Sequence, residues 1–84
     1  MDILLTVMQR CLVSLIIEDG LNGSMSTTEL AVRAKTSRLA IWSAMRSLEV
    51  RDLAGYFRNG DDRWSASMWF LRDKLKQHID SVPL

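Results

Sequence analysis

Apolar residues recur along this chain at helical spacing in four stretches, with polar or turn-forming residues between them. From Asp2 to Asp19, Leu4, Met8, Cys11 and Leu15, with Val7, fall at three- and four-residue steps. They predict a first helix with those residues as its core face. Leu5, Leu12, Ile16 and Val13 form a second apolar stripe beside the first, more than one core face requires. That surplus predicts a helix shared with a second copy of the chain, the second stripe meeting its partner. Gly20 and Asn22-Gly23 then end the helix in a turn.

Ser24 to Ser26 has room for a very short strand, and Ser26 with Glu29 three residues on reads as a capping box opening a second helix. This helix, Thr27 to about Lys35, turns Leu30, Ala31 and Ala34 inward, and the two alanines let its neighbour approach closely. Lys35-Thr36 makes a tight turn, and Ser37 is placed to cap a third helix running to about Arg51. Ile41, Ala44, Met45 and Leu48 form its inward face, with Leu53 tucked beneath. Arg38, Leu39, Trp42, Ser43 and Arg46 collect on the outward face.

A hairpin follows. Asn59-Gly60 is a strong signal for a two-residue type I′ turn, whose central residues both need positive φ. With that tip, Arg58 stands opposite Asp61 and Tyr56 opposite Arg63, all four on one face. Phe57 and Trp64 share the other face and are expected to pack inward. The second strand is expected to continue through Met68 and Trp69. Leu71, Leu75, Ile79 and Val82 mark a last amphipathic helix ending near Pro83, and Leu75 and Ile79 are expected to join Leu5, Leu12 and Ile16 in the dimer interface. This order predicts a mainly α fold with a small β-hairpin. It is the layout of a winged helix-turn-helix, with a three-helix core, a wing at about 55–68 and a C-terminal helix, in a single domain over 1–84.

Composition narrows the function classes. At 84 residues, 48% hydrophobic and 25% charged, the chain has room for one modest core and does not read as disordered. The apolar N-terminal run is broken by Gln9 and Arg10 and is too short for the roughly 20 residues of a membrane span. Asp2 ahead of it, and Glu18-Asp19 behind, argue against a signal peptide, so a cytoplasmic protein without a membrane partner is expected. The single cysteine, Cys11, cannot form an internal bridge and is expected to be a small buried hydrophobe. His78, the only histidine, lacks the neighbours to build a zinc site and is expected to face solvent. Neither a metal nor a cofactor is expected.

Charge is unevenly distributed. Met1 to Val32 has one base and four acids, net −3; Arg33 to Arg63 has seven and four, net +3; Trp64 onward has three and two, net +1. Between Arg33 and Arg46 four bases meet no acid in sequence. Such a patch suits a phosphate-bearing surface, although a solvated helix face has the same composition. Arg58 and Arg63 suit it too, or else pair across the hairpin with neighbouring acids. Enzyme chemistry is not expected. The glycines are isolated at turns rather than grouped ahead of a helix, no serine or cysteine has a histidine to serve it except the remote His78, and Asp61-Asp62 falls on a solvated turn.

The run E-L-A-x-x-A-x-x-S-R-x-x-I-W-x-A-M-x-x-L-E-x-x-x-L, from Glu29 to Leu53, resembles the helix-turn-helix of small winged-helix bacterial and phage transcription regulators. The later WSASMWFLRDKL resembles the second wing strand and exit of the pilus phase-variation regulators of enterobacteria. With the hairpin between them, the resemblance covers a little over half of the chain. It implies sequence-specific binding of double-stranded DNA in transcription regulation, through a recognition helix at about 37–51. Carried over by position, helix contacts fall on Ser37, Arg38, Trp42, Ser43 and Arg46, and wing contacts on Arg58 and Arg63. The pattern is departed from in three places. Lys35 stands where such turns often have glycine, so either the turn bends differently or a non-glycine residue takes positive φ. Leu39 stands where a polar residue is usual, and Asp61 and Asp62 would repel phosphate. These departures leave a second reading open: a winged helix acting as adaptor or inhibitor, binding a protein through Leu39, Trp42 and the first helix.

Overall fold

A computed structural model describes residues 3–58 and 67–81, with the side chains of 79–81 outside the description. The elements run α1 (Val7–Asp19), β1 (Ser24–Ser26), α2 (Thr27–Ala34), α3 (Arg38–Val50), β2 (Ala54–Arg58), β3 (Ser67–Leu71) and α4 (Asp73–Ser81). The three strands form one antiparallel sheet in the order β1-β3-β2, so the predicted hairpin gains a third strand. The fold is a winged helix-turn-helix, as the apolar pattern predicts.

The first helix starts later than its periodicity suggests because Thr6 caps it. The Thr6 hydroxyl accepts from Gln9 N at 3.1 Å, and Gln9 Oε1 accepts from Thr6 N at 3.0 Å, which satisfies two N-terminal donors reciprocally. Gln9 is itself buried, and its Nε2 donates to the Ala44 carbonyl at 3.2 Å, fastening α1 to α3. At the other end Gly20 N bonds Ile16 O at 3.1 Å. A Cβ at Gly20 would lie 2.3 Å from that same carbonyl oxygen, so no larger residue fits there without movement.

The two apolar stripes of α1 face opposite to expectation. Leu12 and Ile16 are 0% and 1% exposed and, with Val13, belong to the chain's own core, while Leu5 packs half-buried against it. Leu75 of α4 is buried in the same core. Leu12, Ile16 and Leu75 therefore offer no surface to a second copy. Ile79 lies in α4 with its side chain outside the described residues. The stripe expected inside instead meets solvent: Val7 is 86% exposed, Leu4 and Cys11 are exposed, and only Met8 and Leu15 are half-buried. The reason is tertiary. Both stripes satisfy helical periodicity, and the choice falls to the one that lets Gln9 reach α3 and Ile16 reach the sheet layer.

Capping places the next two helices. The Ser26 hydroxyl accepts from Glu29 N at 3.0 Å, while the Glu29 carboxylate takes Arg33 rather than completing a capping box. Between α2 and α3, Lys35 adopts φ 57° and ψ 47°, and Thr36 N reaches back to Ala31 O at 3.0 Å. Of the two alternatives for the missing glycine, the chain takes the left-handed lysine. Ser37 caps α3 through Ala40 N at 3.1 Å, and Leu53 is buried beneath that helix, both as predicted.

The hairpin register differs from the sequence expectation. Arg58 pairs with Ser67, Phe57 with Met68 and Tyr56 with Trp69, so Arg58 does not stand opposite Asp61, nor Tyr56 opposite Arg63. Strand alternation then puts Tyr56 and Arg58 on the face shared with Trp69 and Leu71, and Phe57 on the outer face with Phe70. Phe57 is consequently exposed rather than packed inward. The core aromatic is Trp69, fully buried, its Nε1 donating to the Thr27 hydroxyl at 2.8 Å. Trp64, Asn59-Gly60, Asp61-Asp62, Val82 and Pro83 lie outside the described residues. Among the described residues no buried side-chain polar atom lacks a partner.

Candidate nucleic-acid interface

The solvent face of α3 is built by the same spacing that builds its core face. Ile41, Met45 and Leu48 point inward, which leaves Leu39, Ser43, Arg46 and Val50 along the outward ridge, with Arg38 and Trp42 towards the sheet. Leu39 is 78% and Val50 72% exposed, so the ridge is more apolar than a purely phosphate-binding helix needs. Ser37 is exposed at the N-terminus, but its oxygen already caps Ala40 N.

The basic run is thinner in space than in sequence. Arg33 donates to Glu29 at 2.7 Å and to Asp19 at 2.8 Å, and its hydrogen bond to Glu29 raises its pKa from the ordinary arginine value. Arg46 donates to Glu49 at 2.6 Å. Two of the four cations between Arg33 and Arg46 are thus paired with acids from neighbouring turns or helices. Arg38 and Lys35 are exposed and carry no ion pair among the described residues. Arg58, on the strand face beside Tyr56, is likewise exposed and without an ion pair there. Arg63 falls outside the described residues.

Trp42 is exposed, as its place on the outward face predicts, but it also packs against neighbouring rings, which the sequence does not show. It is 36% exposed, and its ring meets Trp69 edge-on at 5.1 Å and Tyr56 at 5.3 Å. Tyr56 in turn lies 5.0 Å from Trp69. The three rings form one cluster that joins α3 to β2 and β3, so Trp42 fixes the angle between helix and sheet. The sequence does not reveal the place of Tyr56 in this cluster, because only the pairing with Trp69 brings it beside Trp42.

Elsewhere the sites are bland. His78 is half-buried on α4 rather than solvent-facing. Among the described residues no group of three or more histidine, cysteine, aspartate or glutamate side chains is gathered as for a metal. No helix among them is long and apolar enough to cross a membrane.

The sequence matches no family model and no curated protein. Solved structures do match. The adhesin competence repressor AdcR from Streptococcus pyogenes superposes with a TM-score of 0.77 at 21% identity, over 96% of this chain and 56% of that one. A ZitR mutant from Lactococcus lactis, in complex with DNA, gives 0.72 at 23% over 92% and 49%. The transcriptional regulator BldR from Sulfolobus solfataricus gives 0.72 at 23% over 87% and 49%. At these identities the likeness establishes the winged-helix fold. The chain spans about half the length of each of these neighbours.

Proposed function

We propose that this protein is a sequence-specific DNA-binding regulator of transcription, and not an enzyme. The observation that carries this reading is the N-terminal half of α3, where Arg38, Leu39 and Ser43 stand exposed on a capped helix with Arg58 of the wing strand on the sheet side. Arg38, in the first turn, is suited to a guanine edge, Ser43 to a base or phosphate, and Leu39 to a thymine methyl. Arg46 is a phosphate ligand once it releases Glu49, and Ser37 offers its backbone at the helix N-terminus. Arg63 completes the wing contacts proposed from the resemblance. The fold shared with regulators such as AdcR and BldR, and with a ZitR structure holding DNA, supports the reading. The likeness of the wing exit to pilus phase-variation regulators supports a role in gene control in the cytoplasm.

Selection from random duplexes tests it: a recovered consensus that Arg38→Ala binds about ten- to a hundredfold more weakly supports the assignment. Recovery of no duplex at low salt would refute it. Leu39 and Val50 favour a second reading, an adaptor that docks a protein on the same ridge, and that reading predicts capture lost by Leu39→Glu with duplexes ignored.

We also infer a homodimer, now through the outward stripe of α1. Leu4, Val7, Ile17 and Leu21 are exposed along this helix and its ends, with Arg10 near its start and Glu18 near its end. An antiparallel pair sets Arg10 of one copy beside Glu18 of the other. A folded Val7→Glu variant that sediments as monomer while the parent sediments as dimer is the expected result; a monomeric parent at high micromolar concentration removes the inference.

A further inference from the structure

Tyr56 stands where helix and wing strand meet, and its state is unlike that of a core residue. It is 39% exposed although its ring is held against Trp42 at 5.3 Å and Trp69 at 5.0 Å. Trp69 is anchored in turn by its hydrogen bond to Thr27, so the aromatic surface is rigid before anything binds. The Tyr56 hydroxyl makes no hydrogen bond among the described residues. Arg58 lies two residues on along the same face of β2, exposed. Glu49, the only acid on α3, is already bonded by Arg46.

We propose that Trp42, Tyr56 and Arg58 form a seat for the sugar–phosphate backbone of one strand of duplex DNA, at the junction of α3 and the wing. This rests on the DNA-binding reading, in which Trp42 and Arg58 already count as contacts, and adds Tyr56 as the residue that joins them into one backbone site. The chemistry fits on four counts. A half-exposed aromatic pair gives a deoxyribose a flat apolar wall, and a tyrosine presents a polar tip beyond it. The Tyr56 hydroxyl can donate to one phosphate oxygen and the Arg58 guanidinium to the next. Two residues of strand advance about 6.8 Å, close to the step between successive phosphates of one strand. Because the rings are already immobilised, little side-chain entropy is lost on binding. The seat is blind to sequence and fixes the register in which α3 meets base edges.

Tyr56→Phe is the decisive variant, since it keeps every ring contact and removes only the hydroxyl. Binding is followed by fluorescence anisotropy of labelled duplexes of several sequences over a range of salt, with thermal melting measured alongside. The proposal expects Tyr56→Phe to melt like the parent and to bind every duplex about tenfold more weakly. It expects Arg58→Gln to lower the slope of log affinity against log salt by about one. If the parent binds duplexes and both variants keep its affinity and slope, the seat is refuted while the DNA reading stands. If the parent binds no duplex at any salt, both fall. Loss of a protein partner by Tyr56→Phe, with duplex binding unchanged, also overturns the proposal and moves the surface to the adaptor reading.

Discussion

The buried link between Thr27 and Trp69 should contribute more to stability than its size suggests. Trp69 is fully enclosed, and its Nε1 donates to Thr27 Oγ1 at 2.8 Å; that hydroxyl in turn donates to the Ser67 carbonyl at 3.3 Å. The chain of bonds ties the first residue of α2 to the middle and the start of β3. Thr27→Val keeps the shape and the β-branch but removes the oxygen. The indole N–H is then enclosed without an acceptor, which costs about 1–3 kcal/mol. For a chain of this length each kcal/mol lowers the melting temperature by roughly 4–8 °C. The fall should therefore be plain in a thermal melt followed by far-ultraviolet circular dichroism, and in urea unfolding with an unchanged slope. Trp69→Phe should cost at least as much, since it leaves a cavity and takes from the Thr27 oxygen the donor it accepts from, although that hydroxyl still donates to Ser67. A loss below about 0.5 kcal/mol for Thr27→Val, the scatter of ordinary surface changes, would show that water replaces the hydroxyl and that the link is not structural.

Three further outcomes follow from local geometry. Gly20→Ala places a Cβ 2.3 Å from the Ile16 carbonyl oxygen and should destabilise by about 1–3 kcal/mol in the same melts, as overpacking does; a neutral result would mean that the end of α1 shifts freely. Lys35→Gly relieves a left-handed lysine at φ 57° and should raise stability by up to about 1 kcal/mol, so a loss would show that the lysine side chain supports the turn. Cys11, exposed on α1, should react with a thiol reagent in the native state as fast as in denaturant when the chain is dilute and monomeric. Cys11→Ser should then change stability by less than about 0.5 kcal/mol; strong native protection in the monomer would contradict the outward facing of that stripe.

Much of this fold is legible in the sequence because its elements are set locally. Ser26 and Ser37 are read correctly as helix caps, since a cap depends only on the residues of one turn. The inward face of α3 is equally legible because Ile41, Met45 and Leu48 share it unbroken, while Arg38, Ser43 and Arg46 interrupt the apolar residues of the other face. On α1 two stripes compete, and periodicity cannot rank them. The choice between Leu12 and Cys11 for the interior is made by what lies opposite, including the Ala44 carbonyl that receives Gln9. The wing shows the same limit. Asn59-Gly60 implies one register by local turn preference, whereas the observed pairing of Arg58 with Ser67 brings Trp69 over Thr27 and beneath Trp42. A shift of register moves a side chain to a different partner or to the opposite face, so the sheet follows the burial of its largest ring. The basic run is likewise visible as composition, but the carboxylates that hold Arg33 and Arg46 are found only in space. The sequence determined the order of elements, their caps and the outward residues of α3. The tertiary structure alone decided which stripe of α1 is core, which aromatic residues meet, and which arginines stand unpaired among the described residues, because each of those depends on contacts between residues far apart in the chain.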